Sequence, residues 1–349
     1  MSRIRLSQVV VITLAAIAGI VRWPADWVEQ YFARGIYPRV QGPLTAWSNQ
    51  TGVALFEFLA AVGLLVIVVT GIRSIILAVR RRSPSPLLRC AGVVVTIGAV
   101  AYLWFLGAWG LNYARQPLEA AVGYKPERVS AAGVRGLASR AVDEVNRWHA
   151  PGHAAGFPAA HEMPPSLVGA IHEIERRLGR PVPTMPSRPK RTVLGPFFRA
   201  AGVDGMHAPF LLETILNPDL TPAERPAVLA HEWAHLAGYA PEDDASFVGL
   251  LAALRADPAS RYSAWFALFH ETASLLPRAE QERLVERLDP GPKEDRAAIV
   301  RRQQARVEAV SRASWETYDR YLKAQGVTEG VQNYSRVVQL LLGTDALDW

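Results

Sequence analysis

The chain has 349 residues, a formal net charge of +6 and 50% hydrophobic residues, with a mean hydropathy near zero. It is too polar to be wholly membrane-embedded, and long enough for one large or two ordinary domains with a sizeable core. Only four of the 38 basic residues are lysine and the arginines are spread over helical segments, so no nucleic-acid partner is expected; the single cysteine, Cys90, lies in an apolar run and excludes a disulfide framework and a cysteine-based metal site.

Three apolar stretches occupy residues 1–114. The first, about 6–22, has an uncharged stretch, Leu6–Val21, that spans only ~24 Å as a helix, which is marginal for a ~30 Å hydrocarbon core unless Arg22 and Trp23 sit at the interface. Its basic start at Arg3 and Arg5 and its small residues also fit a signal peptide, and an uncleaved span is the preferred reading. The second, about 53–79, carries Glu57 and Arg73 near its ends, where they can snorkel. The third, about 90–113, has no charge. Arg3 and Arg5 precede the first span, and Arg80, Arg81, Arg82 and Arg89 fill the connection between the second and third. By the positive-inside rule both segments face the cytoplasm, which places residues 23–52 and everything after Arg115 outside. The outer loop is rich in Trp23, Trp27, Tyr31, Phe32, Tyr37 and Trp47, and should lie along the membrane surface or pack on the outer domain.

Residues 115–349 read as a soluble, mainly helical domain. Amphipathic helices are expected over Val129–His149 and Pro165–Leu178, and Pro181–Pro189 is too proline-rich for a regular element. A short β-like piece follows over roughly Gly205–Ile215. The next helix has Pro226 in its first turn, after a possible capping box at Thr221-Pro222-Ala223-Glu224, and ends at Gly238 and Pro241. Further helices are expected over Pro241–Leu254, Tyr262–Leu275, Arg278–Leu288, Pro292–Ala324 and Val331–Leu342. No repeat is visible.

The helix before Gly238 contains His231-Glu232-Trp233-Ala234-His235, an HExxH sequence. Residues i and i+4 share a helix face, so His231 and His235 can hold one Zn2+ with Glu232 beside it as general base, the core of a zinc peptidase site. Catalytic zinc usually has three protein ligands. The position six residues after His235 is Pro241, which excludes the metzincin arrangement, and the acidic run Glu242-Asp243-Asp244 follows at once. Acidic residues in a first helical turn also suit the macrodipole without any metal. Glu242 opens a Glu-x-x-Ala pattern similar to the third-ligand helix of gluzincins and is the expected ligand; a helical wheel that turns Asp244 towards the buried side keeps it as the alternative. Gly205–Glu213 can supply an edge strand for a peptide substrate, and an ordinary connecting strand is the equal alternative. His149, His153, His161, His172, His207 and His270 are read as lacking ligand spacing to one another and as structural or surface residues. His270-Glu271 sits in an aromatic helix and could line the cleft, although nothing in the spacing requires it. Tyr318, Tyr321 and Tyr334 are possible oxyanion donors, with core packing the simpler role. No glycine-rich phosphate loop is present.

Several segments together resemble one bacterial membrane family known as domain of unknown function 3810. They are Trp109-Gly110-Leu111-Asn112-Tyr113-Ala114-Arg115, Ala208-Pro209-Phe210 with Glu213 and Asn217, His231 to His235, Gly238, Glu242-Asp243-Asp244-Ala245-Ser246-Phe247, Tyr321-Leu322-Lys323 and Tyr334-Ser335-Arg336-Val337-Val338. The resemblance implies a mainly α fold, with three N-terminal transmembrane helices followed by a zincin-like domain with a minimal sheet. It departs at Asp244, where a second glutamate is expected. The expected function is a membrane-anchored zinc metallopeptidase of the bacterial cytoplasmic membrane, acting on an external peptide or protein. The alternatives are an inactive zincin-like envelope-binding module and a hydrolase of a non-peptide amide.

Overall fold

Two long apolar helices dominate the first third of the computed structural model, which describes residues 6–325 and 334–349. The basic start at Arg3 and Arg5 lies outside the described residues. Helix α1 (Leu6–Ile20) packs on a later helix, with Gln8 Nε2 donating to Thr96 Oγ1 at 3.3 Å. It rises ~22 Å, short of a hydrocarbon core. The chain then bends by 113° into α2 (Ala25–Trp27), a π-helix over Val28–Ile36 and α3 (Tyr37–Ser48). Helices α4 (Leu55–Arg81) and α5 (Ser85–Ala108) are long and apolar enough to cross a membrane. The three expected spans are therefore two, or three if α1 and the bent segment after it make one broken span.

Val28, Phe32, Ala33 and Tyr37 are buried at spacings of four, one and four residues. That period is wider than 3.6, so i to i+5 hydrogen bonding brings the four onto one face, which the α period would not. This face packs on the domain that follows Arg115. Tyr37 Oη donates to Leu236 O (2.5 Å), and two side-chain amides grip the proline-rich connector. Gln41 exchanges hydrogen bonds with Met185 O (2.8 Å) and Met185 N (3.0 Å), and Asn49 with Pro186 O (2.9 Å) and Arg188 N (2.8 Å).

A 3-10 turn over Gly110–Ala114 and the short α6 (Leu118–Val122) lead into α7 (Ala131–Ala155), which starts at Ser130 and extends beyond the expected end at His149. Next come α8 (Pro165–Arg177), β1 (Pro189–Lys190), the unanticipated α9 (Gly195–Ala201), β2 (Gly205–Ala208) and β3 (Glu213–Leu216). The single β-like piece is thus a hairpin, turned at Pro209–Leu212 with Leu212 at φ 52°. β3 is central, parallel to β1 with Lys190 opposite Ile215, and antiparallel to β2 with His207 opposite Thr214; β2 is an edge.

The remaining helices are α10 (Arg225–Leu236), α11 (Glu242–Arg255), α12 (Pro258–Ser274), α13 (Arg278–Glu286), α14 (Pro290–Gln303), α15 (Glu308–Ala324) and α16 (Tyr334–Gly343). The expected single helix over Pro292–Ala324 is two. Val307 turns extended and donates its N–H to Ala200 O at 2.9 Å, so a long-range hydrogen bond outcompetes continuation of the helix. The expected start of the last helix at Val331 lies outside the described residues.

The long apolar helices meet the rest of the chain through hydrogen bonds. Glu213 of β3 accepts from Leu55 N (3.1 Å) and Phe56 N (2.8 Å), satisfying free donors at the start of α4. Trp104 Nε1 donates to Phe210 O at 2.8 Å, and the Phe210 ring lies between Phe56 and Phe105. Arg115 bonds both oxygens of Glu29 (2.8 and 3.2 Å), which also accepts from Arg34 Nε at 2.9 Å.

Removing one partner of this mostly buried pair should be costly. Glu29→Gln should lower the stability of the detergent-solubilised protein by on the order of 3 kcal/mol near neutral pH, since Arg115 is left buried without its counter-charge. Burial opposes the charge on Glu29, but Arg115 and Arg34 outweigh it and hold its pKa below 4.5. A lowered carboxylate pKa contributes stability above the unfolded pKa and loses it as pH falls through the folded one. Thermal melts of wild type and variant should therefore converge on acidification.

Candidate metal centre

Helix α10 is positioned at both ends by side chains from elsewhere. At its start Glu224 accepts from Thr221 N and Thr221 Oγ1, both at 2.9 Å, which is half of the expected capping box; Arg302 holds the same carboxylate through Nε (3.0 Å) and a terminal nitrogen (2.5 Å). Leu229, Ala230, Trp233 and Ala234 are buried in the core, and Trp233 Nε1 donates to Ser187 O at 2.8 Å. His231, Glu232 and His235 consequently line a cavity of about 920 Å³.

Gly238, at φ 84°, reverses the chain into α11. Two small residues of α11 allow it to lie close on α10. Ala245 is fully buried, and a Cβ at Gly249 would stand 2.7 Å from His231 N. The small pair at 245 and 249, one turn apart, is a signal the sequence carried in addition to Glu-x-x-Ala.

This hairpin brings Glu242 to the two histidines. His231 Nε2 lies 3.3 Å from Glu242 Oε2, and His235 Nε2 lies 3.5 Å from Glu242 Oε1. Two ligand atoms on a tetrahedral zinc are about 3.4 Å apart, so the three donors are spaced to hold one ion. The far side of each ring is fixed. His231 Nδ1 is 3.1 Å from Ser246 Oγ and His235 Nδ1 is 3.0 Å from Tyr239 O, which leaves both Nε2 atoms directed at the carboxylate. Tyr318 Oη donates to Glu242 Oε1. Burial opposes a charge on His235, but Glu242 outweighs it and raises the pKa to about 9; against their own burial effect, the imidazoles hold Glu242 well below the usual carboxylate range.

The family profile that matches this chain, described as protein of unknown function (DUF3810), spans residues 32–342. The chain belongs to the DUF3810 family. No curated protein and no solved structure matches it. The DUF3810 match begins in the π-helix and ends in α16, so it covers both long apolar helices and the candidate site at His231, His235 and Glu242.

Glu232 lies beside this group. Burial raises its pKa to about 7 against the pull of His231 and His235, and Oε2 has no hydrogen-bond partner among the described residues. Gly205 of β2 makes room for it, since a Cβ there would overlap Glu232 Oε1. The edge strand expected beside the site is therefore in contact with the glutamate.

The acidic run divides three ways. Glu242 faces the histidines, Asp243 Oδ2 is 3.0 Å from Arg336 Nε, and Asp244 lines a separate cleft with Arg115. Burial and the neighbouring Asp243 push Asp244 well above the ordinary carboxylate range. Asp244, the alternative third ligand, is not part of the trio.

Among the other residues singled out in the sequence, His207, Tyr318, Tyr321 and Glu271 line the cavity, whereas His270 packs against Phe266 and Phe269. The side chain of Tyr334 lies outside the described residues. Tyr102, Phe105 and Trp109 at the end of α5 form one wall of the cavity. The reading of the other six histidines as lacking ligand spacing fails for one pair: His149 and His153 are four residues apart on α7 and meet Asp295.

The contact between strand and glutamate predicts that Gly205→Ala costs about 1–3 kcal/mol, because the strand must move or Glu232 must leave its rotamer. Gly136→Ala, on the exposed side of α7 with nothing within 4 Å, should be neutral or stabilising. Thermal denaturation of both variants beside wild type checks this.

Proposed function

We propose that this protein is a membrane-anchored, zinc-dependent peptidase of the gluzincin type, with His231, His235 and Glu242 as metal ligands and Glu232 as general base. The observation that carries the reading is the convergence of two back-braced imidazole Nε2 atoms and one carboxylate, beside a buried glutamate oxygen with no partner among the described residues. A structural metal site has no use for that glutamate, and this favours hydrolysis over the inactive binding module.

When bound, zinc supplies a Lewis acid that polarises the scissile carbonyl and acidifies water. The protein's own residues supply the rest. Glu232 Oε2, poised near neutral pH by burial, takes the proton of the attacking water and delivers it to the departing amide nitrogen. The free edge of β2 can pair with an extended peptide and hold its scissile bond next to Glu232. Tyr318 orients the Glu242 carboxylate, and the apolar walls restrict water around it.

The arginines between α4 and α5 favour a cytoplasmic side for that connection, and this supports a catalytic domain outside a bacterial cytoplasmic membrane. A cavity wall formed by the end of α5 supports a protein or peptide substrate presented at the membrane surface.

Elemental analysis of the detergent-purified protein should find about one zinc at this site, lost in His235→Ala and kept in Glu232→Gln. Cleavage of a degenerate fluorogenic peptide library by wild type, absent in Glu232→Gln, would establish hydrolysis; wild type that binds no zinc here overturns the reading. Ser246→Ala should weaken zinc binding by about tenfold, as the brace on His231 is lost while all three ligands remain. Competition with a chromogenic chelator measures it.

A further inference from the structure

A second donor set lies at the junction of α7, α12 and α14. His149 and His153 project from one face of α7, their ring centroids 4.2 Å apart. Their Nε2 atoms stand 3.6 and 2.9 Å from the same carboxylate oxygen, Asp295 Oδ2 of α14. Tyr262 Oη of α12 donates to that oxygen at 2.6 Å and fixes the orientation of the carboxylate. Gly291, in the first turn of α14, lies directly over the His149 ring, where a Cβ would overlap the imidazole. The arrangement repeats that of the first centre: two imidazoles at helical spacing, with a carboxylate from another helix facing both Nε2 atoms.

We infer that His149, His153 and Asp295 bind a second divalent ion of the zinc class, which clips α14 onto α7. Three protein donors of N, N and O type suit a tetrahedral zinc with water as fourth ligand. His153 is 42% exposed and provides a route for exchange with solvent. The fold gives the ion a mechanical role. Helix α14 buries only Pro292 and Ile299, so apolar packing alone holds it weakly, and two turns after Asp295 it carries Arg302, the residue bound to Glu224 at the start of α10. An ion at Asp295 would anchor the helix that supports the metal helix of the first centre. The site does not depend on the proposed peptidase activity.

The test is zinc stoichiometry of the full chain in detergent, by equilibrium dialysis against zinc chloride followed by elemental analysis. Wild type should hold about two ions, His153→Ala and His235→Ala about one each, and the double variant none. Asp295→Asn should match His153→Ala, and zinc addition should raise the melting temperature of His235→Ala but not of the double variant. If His235→Ala binds as much as wild type while His153→Ala loses one ion, the second site stands and the first centre fails. If His153→Ala and Asp295→Asn both bind as much zinc as wild type, the second site is overturned. His153 is partly exposed, so its removal leaves no cavity in the core, and far-UV circular dichroism confirms that each variant is folded.

Discussion

Four consecutive carbonyls at the end of α10 accept hydrogen bonds from side chains in other parts of the chain. Trp109 Nε1 reaches His235 O, Tyr37 Oη reaches Leu236 O, Arg180 reaches Ala237 O and Arg115 reaches Gly238 O. A helix leaves its last carbonyls without partners, and here they are buried in the protein centre, where an unmet acceptor costs about 1–3 kcal/mol. The solution is a Schellman turn, with Tyr239 N bonded to Ala234 O and Gly238 in the left-handed region, supplemented by these four side chains. The two arginines add positive charge at the negative end of the helix dipole. Only glycine fits at 238, because Asn112 Oδ1 would stand 2.8 Å from any Cβ.

These contacts explain why residues 23–52, the end of α5 and the domain after Arg115 cannot be treated as separate parts. The positions of His231 and His235 relative to Glu242 follow from where α10 stops and how sharply the chain reverses. Tyr37, Trp109, Arg115 and Arg180 fix both. The Arg115–Glu29 pair extends the linkage one step further, to the π-helix, whose widened period turns Tyr37 inward with Val28, Phe32 and Ala33.

The sequence made the helices legible where apolar residues recur on one face, and made His231, Glu232 and His235 legible because a five-residue spacing on a helix fixes which side chains are neighbours. Glu242 was harder to choose. Successive helical residues point about 100° apart, so Glu242, Asp243 and Asp244 must face three directions, and the partner each meets is set by tertiary packing rather than by composition. The break at Val307 depends on Ala200, and the His149 and His153 pair depends on Asp295, more than 100 residues away in each case. Local pattern cannot report such contacts. The spacing of His149 and His153 was nevertheless visible in the sequence, and so was the small pair Ala245 and Gly249. The π-helix had no signal beyond the irregular spacing of its buried residues.

Gly205 has no side chain because Glu232 occupies the space. This contact makes descent at the two positions directional. A lineage that loses the long carboxylate at 232 is free to acquire alanine or serine at 205, since nothing then fills the gap. Once it has done so, restoring glutamate alone recreates the clash, and both positions must revert together. Loss of the glutamate is therefore easily fixed and hard to undo, so a branch without it should carry the record of its loss in the strand as well as in the helix.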